Sequence, residues 1–389
     1  MKHEQRGLLG VVAGLLSVAL LALLLPRARG QDRNFAGSIQ AGYLYVNDPS
    51  IEARKRALDG FTTELSLKLA VDFNEHVSTN VKLCYGCHGF ELGMAYIDLS
   101  VSDELRFRVG RFTPAFGEFP LRHDPANHRT VDKPLPYDMG RMIRLREWNM
   151  GVLPAPYVDN GIEVSGTHWF GLSFQLDYAA YAVGGLRGDN EGFDIDFTQS
   201  RGSSFYVIDN NSRPTYGGRV AGTLDLGSEA SFTLGASGMY GFYDPDHKLM
   251  YELGGVDFYA RLGSFQLRGE YLVRRTEMSL GEDPDTRFKY GPGKNGKYAR
   301  YMVKDGFYVE GLIPLFKRLE LVGRFDGLRR LGNVPVTSPL RKVSAVLRYT
   351  LGLDLTLGHG VRLKLAGEYY DFSDFSNEIA ATLGVVAVL

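Results

Sequence analysis

The fold is decided by a stretch of strict alternation, Glu64-Leu65-Ser66-Leu67-Lys68-Leu69-Ala70-Val71-Asp72-Phe73. Leucine, valine and phenylalanine side chains share one face of this stretch, and most of the polar side chains share the other. Successive side chains of a β-strand point to opposite sides, so the pattern predicts a strand with one apolar and one charged face. A wall with lipid on one side and a polar lumen on the other needs strands of this kind.

The same alternation returns in Phe265–Arg274 and in Val361–Tyr369, and no segment shows helical periodicity. The chain contains 47 Gly, 22 Tyr and 23 Phe in 389 residues, and barrel strands and their interface girdles use these residue types. A formal net charge of −1 gives no sign of a nucleic-acid partner. Beyond the N-terminus, no apolar run is long enough for a transmembrane helix, so any spanning must be by strands.

Connections between the alternating segments are short and long in turn, which is the asymmetry of an outer-membrane barrel. The short turns are at 74–76, 102–104, 227–229, 263–264, 317–318 and 358–360, and the long connections are near 47–60, 117–160, 184–214, 279–299 and 329–340. We therefore predict an all-β fold, a transmembrane antiparallel β-barrel of about 16 strands over residues 31–389. The last strand is expected to be the apolar stretch Ile379–Leu389.

The N-terminus predicts export. Lys2 and Arg6 precede the apolar run Leu8–Leu25, and a small-residue site follows at Ala28-Arg29-Gly30. This order is typical of a signal peptide over residues 1–30, with cleavage before Gln31. The run is also close to the ~20 residues that span a bilayer, so an uncleaved anchor stays open as an alternative. The expected location is the bacterial outer membrane, with its lipid as a partner.

The two cysteines of the chain form one motif, Cys84-Tyr85-Gly86-Cys87-His88. C-x-x-C-H is the attachment signature of c-type haem. In that interpretation Cys84 and Cys87 bind one covalent haem c, and His88 is an axial ligand of the iron. A structural disulfide in an exported protein is the alternative, and a metal site is a third. Candidate distal ligands of the iron are His123, His128, Met142 and Met150.

The connection from Gly117 to Asn160 is the second candidate site. Its basic residues are expected to line a pore constriction, and they are Arg122, Arg129, Lys133, Arg141, Arg144 and Arg146. Its acidic residues are equally numerous and are Glu118, Asp124, Asp132, Asp138, Glu147 and Asp159. The balance predicts no net selectivity, although basic and acidic groups on opposite walls would be compatible with a porin constriction. The alternative is a loop packed by its own apolar residues.

A family resemblance enters at two adjoining stretches, Ala95–Leu99 and Leu105–Glu118. The second reads Leu105-Arg106-Phe107-Arg108-Val109-Gly110-Arg111-Phe112-Thr113-Pro114-Ala115-Phe116-Gly117-Glu118 and resembles the strand and loop motif of the phosphate-selective porin O/P group. The resemblance implies a porin of about 16 strands, a homotrimer and a loop that folds into the pore. C-x-x-C-H is not part of that motif.

Two classes of function follow from these observations. The first is a porin-like barrel that carries one c-type haem and takes part in electron transfer, with periplasmic and extracellular cytochromes as partners. A single haem cannot bridge the ~30 Å hydrocarbon core, so such partners are required. The second is a diffusion porin for small, possibly anionic solutes with a Cys84–Cys87 disulfide. The sequence contains no G-x-S-x-G motif, and we do not expect an enzyme.

Overall fold

A computed structural model of the chain describes residues 32–46, 61–86, 89–138, 151–201 and 208–388. These residues form sixteen strands that pair in chain order and close into an antiparallel barrel. The prediction of about 16 strands is therefore confirmed. The strands are β1 Asp32–Val46, β2 Phe61–Asp72, β3 Val77–Gly86, β4 Gly89–Ser102, β5 Leu105–Phe112, β6 Asp159–Phe170, β7 Phe174–Val183, β8 Thr215–Asp225, β9 Ala230–Phe242, β10 Met250–Leu262, β11 Phe265–Glu277, β12 Tyr301–Phe316, β13 Leu319–Leu331, β14 Val343–Gly358, β15 Val361–Phe372 and β16 Glu378–Val388.

The first and last strands close the barrel. β1 pairs with β16 from Ser38 opposite Val388 to Val46 opposite Ala380. β1 also pairs along its length with β2, starting at Asp32 opposite Asp72. Each strand thus has a neighbour on both sides, and the sheet exposes no edge. Without water in the hydrocarbon layer, a closed ring is the arrangement that gives strand backbone groups their partners.

The two faces of the wall differ as the alternation predicts. On β15, Lys364 and Glu368 are buried and point into the barrel, while Leu365 and Tyr369 are exposed on the outside. On β2, Ser66 is likewise buried on the inner side. Exposed large apolar side chains cover the outside of the wall, and charged side chains lie within it. This division is the expected one for a wall that faces lipid.

The two ends of the barrel are different. Turns of two to four residues join β2 to β3, β4 to β5 and the later pairs at the end where β1 begins and β16 ends. Connections at the opposite end include 113–158, 184–214, 278–300 and 332–342, and we call it the long-loop end. The hairpin of β3 and β4 turns at the long-loop end, as strand parity predicts. Residues 1–31, which include the predicted signal peptide, lie outside the described residues.

The alternating stretches Thr79–Leu83 and Phe90–Val101 predict two strands with the haem motif at the reversal between them, but the motif is not confined to that reversal. Pairing of β3 with β4 continues through Cys84 opposite Glu91 and Tyr85 opposite Phe90 up to Gly86 opposite Gly89. The Tyr85 and Phe90 rings, 4.9 Å apart, pack together across the hairpin. Cys84 is therefore a strand residue, because the pairing of β3 with β4 continues until only two residues lie between the strands. Those two residues, Cys87 and His88, lie outside the described residues.

Helices are few and short in the described residues. Two 3₁₀ helices span Phe119–Arg122 and Leu135–Tyr137, and two α-helical turns span Phe197–Arg201 and Pro284–Arg287. None of the helices found in the described ranges has the length and apolar character needed to cross a membrane.

A charge on the outer face tests the assignment of the two faces. We expect Leu365→Arg, in the middle of β15, to lower the free energy of unfolding by about 2–4 kcal/mol, since a midplane arginine must be desolvated. Leu357→Arg, near the end of β14, is the matched control and is expected to cost about 0–1 kcal/mol. Urea unfolding of the protein in lipid vesicles measures both. Equal losses at the two positions would contradict the proposed depth of β15.

Candidate functional site inside the barrel

The described residues of the connection between β5 and β6 lie inside the barrel. We call residues 113–138 and 151–158 of this connection the inner segment. Phe116, Leu135, Tyr137, Val152 and Leu153 of the inner segment are fully buried. They belong to one apolar cluster that also includes inward side chains of the wall. Since a barrel of sixteen strands is too wide for wall side chains alone to fill, the inner segment supplies an apolar core within a polar lumen.

Two glycines of the porin-like motif bring the chain into the lumen. Gly110 has φ +130° and lies against β4 so closely that a Cβ would stand 2.4 Å from the carbonyl oxygen of Ala95. Gly117 has φ +63°, and a Cβ there would meet the carboxylate of Glu270 at 2.5 Å and the hydroxyl of Tyr137 at 2.6 Å. Both positions need the conformational freedom and the small size of glycine. The glycines of the porin-like motif are therefore required by the backbone geometry of this chain.

The inner segment crosses the lumen from wall to wall. On one side the ammonium group of Lys82 on β3 pairs with Asp124. Far from β3 around the barrel, Glu270 on β11 accepts hydrogen bonds from the backbone N–H of Phe119 at 2.7 Å and from the hydroxyl of Tyr137. Tyr308 of β12 donates to the same carboxylate at 2.7 Å. Contacts on both sides hold the segment across the barrel instead of along one wall.

A buried ion-pair network attaches the inner segment to β13 and β14. Asp132 of the inner segment accepts from the guanidinium of Arg324 on β13 at 2.7 Å and pairs with Arg348 on β14. Arg348 Nε also donates to Asp326 at 2.9 Å, and Asp326 accepts from the backbone N–H of Leu135 at 2.9 Å. The four charged side chains are 0% exposed. We call Asp132, Arg324, Asp326 and Arg348 the anchor network.

The anchor network keeps Asp132 ionised. Burial raises the pKa of this carboxyl group, but the positive charges of Arg324 and Arg348 outweigh burial and lower the pKa to about 2. Removing one partner of a buried pair leaves an uncompensated charge, which costs roughly 3–5 kcal/mol. Removing the charge of Asp132 is therefore expected to weaken the docking of the inner segment, because Arg324 and Arg348 would lose that partner.

Cys84 faces the lumen beside the inner segment. Its side chain lies over Gly93, an extra residue in β4, and a Cβ on Gly93 would stand 2.9 Å from Cys84 Sγ. A cavity of about 80 Å³ adjoins Cys84 and is also lined by His123 and Asp124. This space holds only a few water molecules, since one needs roughly 10–15 Å³. The structure thus brings one predicted distal ligand, His123, near one predicted attachment cysteine.

Both ring nitrogens of His123 already have partners. Nδ1 donates to the carbonyl oxygen of Pro120 at 2.5 Å, which leaves Nε2 to accept from the Lys82 ammonium at 3.1 Å. Burial, followed by the charge of Lys82, lowers the pKa of His123 to about 3. His123 is therefore neutral at physiological pH, and an iron ion would have to displace Lys82 to bind it.

One of the two ring nitrogens of His128 forms a hydrogen bond. Nδ1 donates to the carbonyl oxygen of Thr130 at 2.9 Å, whereas buried Nε2 has no hydrogen-bond partner in the part of the chain described here. Burial and then the charge of Lys364 lower the pKa of His128 well below its usual range. Among these same residues, no three His, Cys, Asp or Glu side chains are grouped as metal ligands. The remaining distal candidates, Met142 and Met150, lie outside the described residues.

The three described basic candidates for the constriction are engaged in contacts with neighbouring groups. Arg122 pairs with Glu118 in the same helical turn. Arg129 Nε lies 2.5 Å from Glu320 on β13. Lys133 donates to the carbonyl oxygen of Ala155 at 2.7 Å. The other basic candidates lie outside the described residues and are Arg141, Arg144 and Arg146.

The wall residues that hold the inner segment are not among the site residues predicted from the sequence. Arg324, Asp326 and Arg348 attract no attention as motifs, since they are single charged residues within alternating strands. The available signal was their position on the polar side of the strands, which predicts that they face the lumen. It does not predict which loop meets them.

Comparison with solved structures identifies the architecture. The outer-membrane channel DcaP of Acinetobacter baumannii is similar with a TM-score of 0.55 and 11% identity, over 94% of this chain and 99% of that chain. Salmonella typhi OmpF, in complex with daunomycin, gives 0.55 and 10%, over 92% and 98%. The trimer form of Vibrio cholerae OmpT gives 0.51 and 9%, over 92% and 100%.

The chain has a porin-like barrel fold. These identities are low, so the likeness concerns the fold alone. No protein-family model matches the sequence, and no curated protein matches it.

Acid should weaken the docking of the inner segment. His123 and His128 are neutral when docked, and in water each regains a pKa of about 6.5. The docked state binds fewer protons, so docking is strongest above pH ~6.5 and weakens as the pH falls toward the docked pKa of His123, about 3. Each histidine contributes up to about a tenfold loss per pH unit. Asp132, with its pKa of about 2, stays charged over this range.

A nitroxide on Asn127→Cys, in a Cys84→Ser/Cys87→Ser background, measures this effect by spin-label mobility. We expect mobility to rise between pH 7 and pH 4. Adding His123→Gln and His128→Gln should flatten the response, because neither glutamine titrates. An unchanged pH response in that variant would show that other groups control docking.

Proposed function

We propose that the protein is a channel of the bacterial outer membrane for small solutes, in which the inner segment controls passage. The observation that carries this proposal is the docking of the inner segment across the lumen of a closed barrel through the anchor network. An apolar outer wall supports a membrane location. Similarity to an outer-membrane channel of Acinetobacter baumannii supports the transport role.

The wall chemistry supports a preference for anions as part of this proposal. Arg348, Lys364 and Arg362 project from neighbouring strands toward the inner segment, where Lys364 donates to the carbonyl oxygen of Pro125 at 2.7 Å. The resemblance to the phosphate-selective porin O/P group points in the same direction. Displacement of the inner segment would expose these basic groups to solutes in the lumen, together with Asp326 and Asp354, the wall carboxylates that pair with Arg348 and Arg362.

The same proposal includes a homotrimer. The exposed apolar wall offers a surface for subunits to pack, and Vibrio cholerae OmpT has been solved in a trimer form.

Conductance of single channels in planar bilayers tests the role of the inner segment. We expect Asp132→Asn to increase open-channel conductance or the frequency of openings several-fold, because the neutral amide leaves Arg324 and Arg348 without their anionic partner from the segment. Asp246→Asn is the control, since Asp246 is an exposed side chain at the long-loop end. Equal conductance of wild type and both variants would remove the proposed control by the segment.

Covalent haem is the second candidate function, and the motif supports it. One observation favours it here: Cys84 lies on the lumen side of β3 at the long-loop end, in a cavity wall shared with His123. A porphyrin does not fit this cavity of about 80 Å³, and ligand pockets usually measure about 300–1,000 Å³. The cavity beside Cys84 is therefore too small for a porphyrin, and we derive no electron-transfer step from it. Cytochrome partners belong to this second proposal.

Haem attachment is tested with protein from cells that mature c-type cytochromes. The haem proposal predicts a pyridine haemochrome spectrum after denaturation, and its loss in Cys84→Ser/Cys87→Ser. If the wild type carries no haem and its cysteines react with maleimide only after reduction, the haem proposal is wrong and the Cys84–Cys87 disulfide takes its place. Each result leaves the conductance experiment interpretable, because the channel proposal does not depend on the cysteines.

A further inference from the structure

A second cavity lies at the long-loop end of the lumen. It has a volume of about 170 Å³, which is room for roughly ten water molecules. Its polar part is formed by Asp194, from the connection after β7, with Lys304 on β12 and Arg330 on β13. The rest of the lining is largely apolar and comes from the same connection, β12 and the loop after β13.

The cavity has more positive than negative charge. Both carboxylate oxygens of Asp194 accept hydrogen bonds from the Arg274 guanidinium, at 2.9 and 3.0 Å. The same carboxylate also pairs with Lys304 at 2.7 Å. One carboxylate is thus shared by two cations. Arg330, 4% exposed, is a third cation in the same cluster. The charged residues that line the cavity are therefore two positive groups, Lys304 and Arg330, and one negative group, Asp194.

Arg330 has only carbonyl partners in the hydrogen bonds it makes. Its guanidinium donates to the carbonyl oxygens of Gly332, at 3.4 Å, and Asn333. No carboxylate of the described ranges lies within 4 Å of it. Asp374 is engaged elsewhere, since it accepts from the backbone N–H of Arg341 at 3.0 Å and from Ser344. A buried guanidinium normally has an anionic partner, so this position favours an anion from outside the chain.

A further cation strengthens the positive field. Lys289 donates to the carbonyl oxygens of Ser338 at 3.2 Å and Leu340 at 3.4 Å, and so holds the loop that forms the wall of the cavity. This contact adds positive charge behind the wall. It also fixes the apolar side chain of Leu340, which is 1% exposed, at the cavity.

The apolar part of the lining determines the shape of the ligand. Met302 and Val334 are buried at 3% and 1% exposure, and Phe193 stands at the edge of the same space. A fully hydrated inorganic ion would leave these side chains without contacts. A small organic acid would place its carboxylate on Arg330 and Lys304 and its hydrocarbon part against the apolar wall.

We propose that this cavity is a binding site for a small organic carboxylate with a compact apolar body, captured where solute meets the lumen. The inference rests on the proposed channel function and names its class of solute. Charge-assisted hydrogen bonds to Arg330 provide specificity for the anion, and burial against Met302, Val334 and Leu340 provides affinity for the apolar part.

Binding of benzoate to the purified protein in detergent micelles tests the site by isothermal titration calorimetry. Benzamide has nearly the same shape without the charge, and it should bind at least tenfold more weakly than benzoate to the wild type. Arg330→Gln should weaken benzoate binding about 10- to 100-fold, as expected for loss of hydrogen bonds to a charged group. Arg300→Gln is the matched control, because Arg300 is exposed near the same end and pairs with Glu277.

Several outcomes would overturn the proposal. These are the absence of benzoate binding, equal binding of benzoate and benzamide, and equal losses in Arg330→Gln and Arg300→Gln. The comparison of the two ligands uses the wild type, so it does not depend on the folding of any variant. The assay needs no conduction. A protein that conducts without binding benzoate keeps the channel and loses the site, and one that binds without conducting keeps the site and loses the channel.

Discussion

Within a bilayer, each backbone N–H and C=O group must find its partner in the protein, and the rest of this structure depends on that constraint. A closed ring of sixteen strands satisfies it. Because side chains alternate along each strand, closure also sends half of them inward, including charged residues such as Arg324 and Lys364. The ring is too wide for these side chains to fill. The inner segment fills part of the space and brings acidic groups to the basic ones.

Ion pairs in the lumen serve to select positions more than to add stability. The desolvation of buried charges offsets much of their attraction, so a well-packed apolar interior would be about as stable. The charges fix the position of the inner segment. Asp132 can pair only beside Arg324 and Arg348, and Asp124 pairs with Lys82. The apolar residues of the inner segment could pack in several ways, whereas these contacts specify one.

Much of the fold could be predicted from the sequence because it depends on a local pattern. Alternation in Glu64–Phe73 and Val361–Tyr369 identifies strands and their faces, and the lengths of the turns identify the two ends. The predicted end of β3 at Leu83 is wrong, because pairing with β4 continues through Cys84 to Gly86 and no local pattern marks where that pairing stops.

The interior of the site is less accessible to such reasoning. Contacts such as Asp132 with Arg348 join residues 216 positions apart, and their pairing depends on the path of the inner segment through three dimensions. The periodicity of the sequence does not predict the path of the inner segment. The roles predicted for Cys87, His88, Met142 and Met150 stay predictions, because these residues lie outside the described ranges.

The pairing of β1 with β16 has a consequence for biogenesis. The two strands that complete the ring are the first and the last of the sixteen in chain order, so the ring cannot close until all sixteen strands have been synthesised. Until they meet, the sheet has two open borders that invite association with other chains. A deletion that removes β16 would leave β1 and β15 without the strand that joins them, so the remaining fifteen strands could not form the same closed ring.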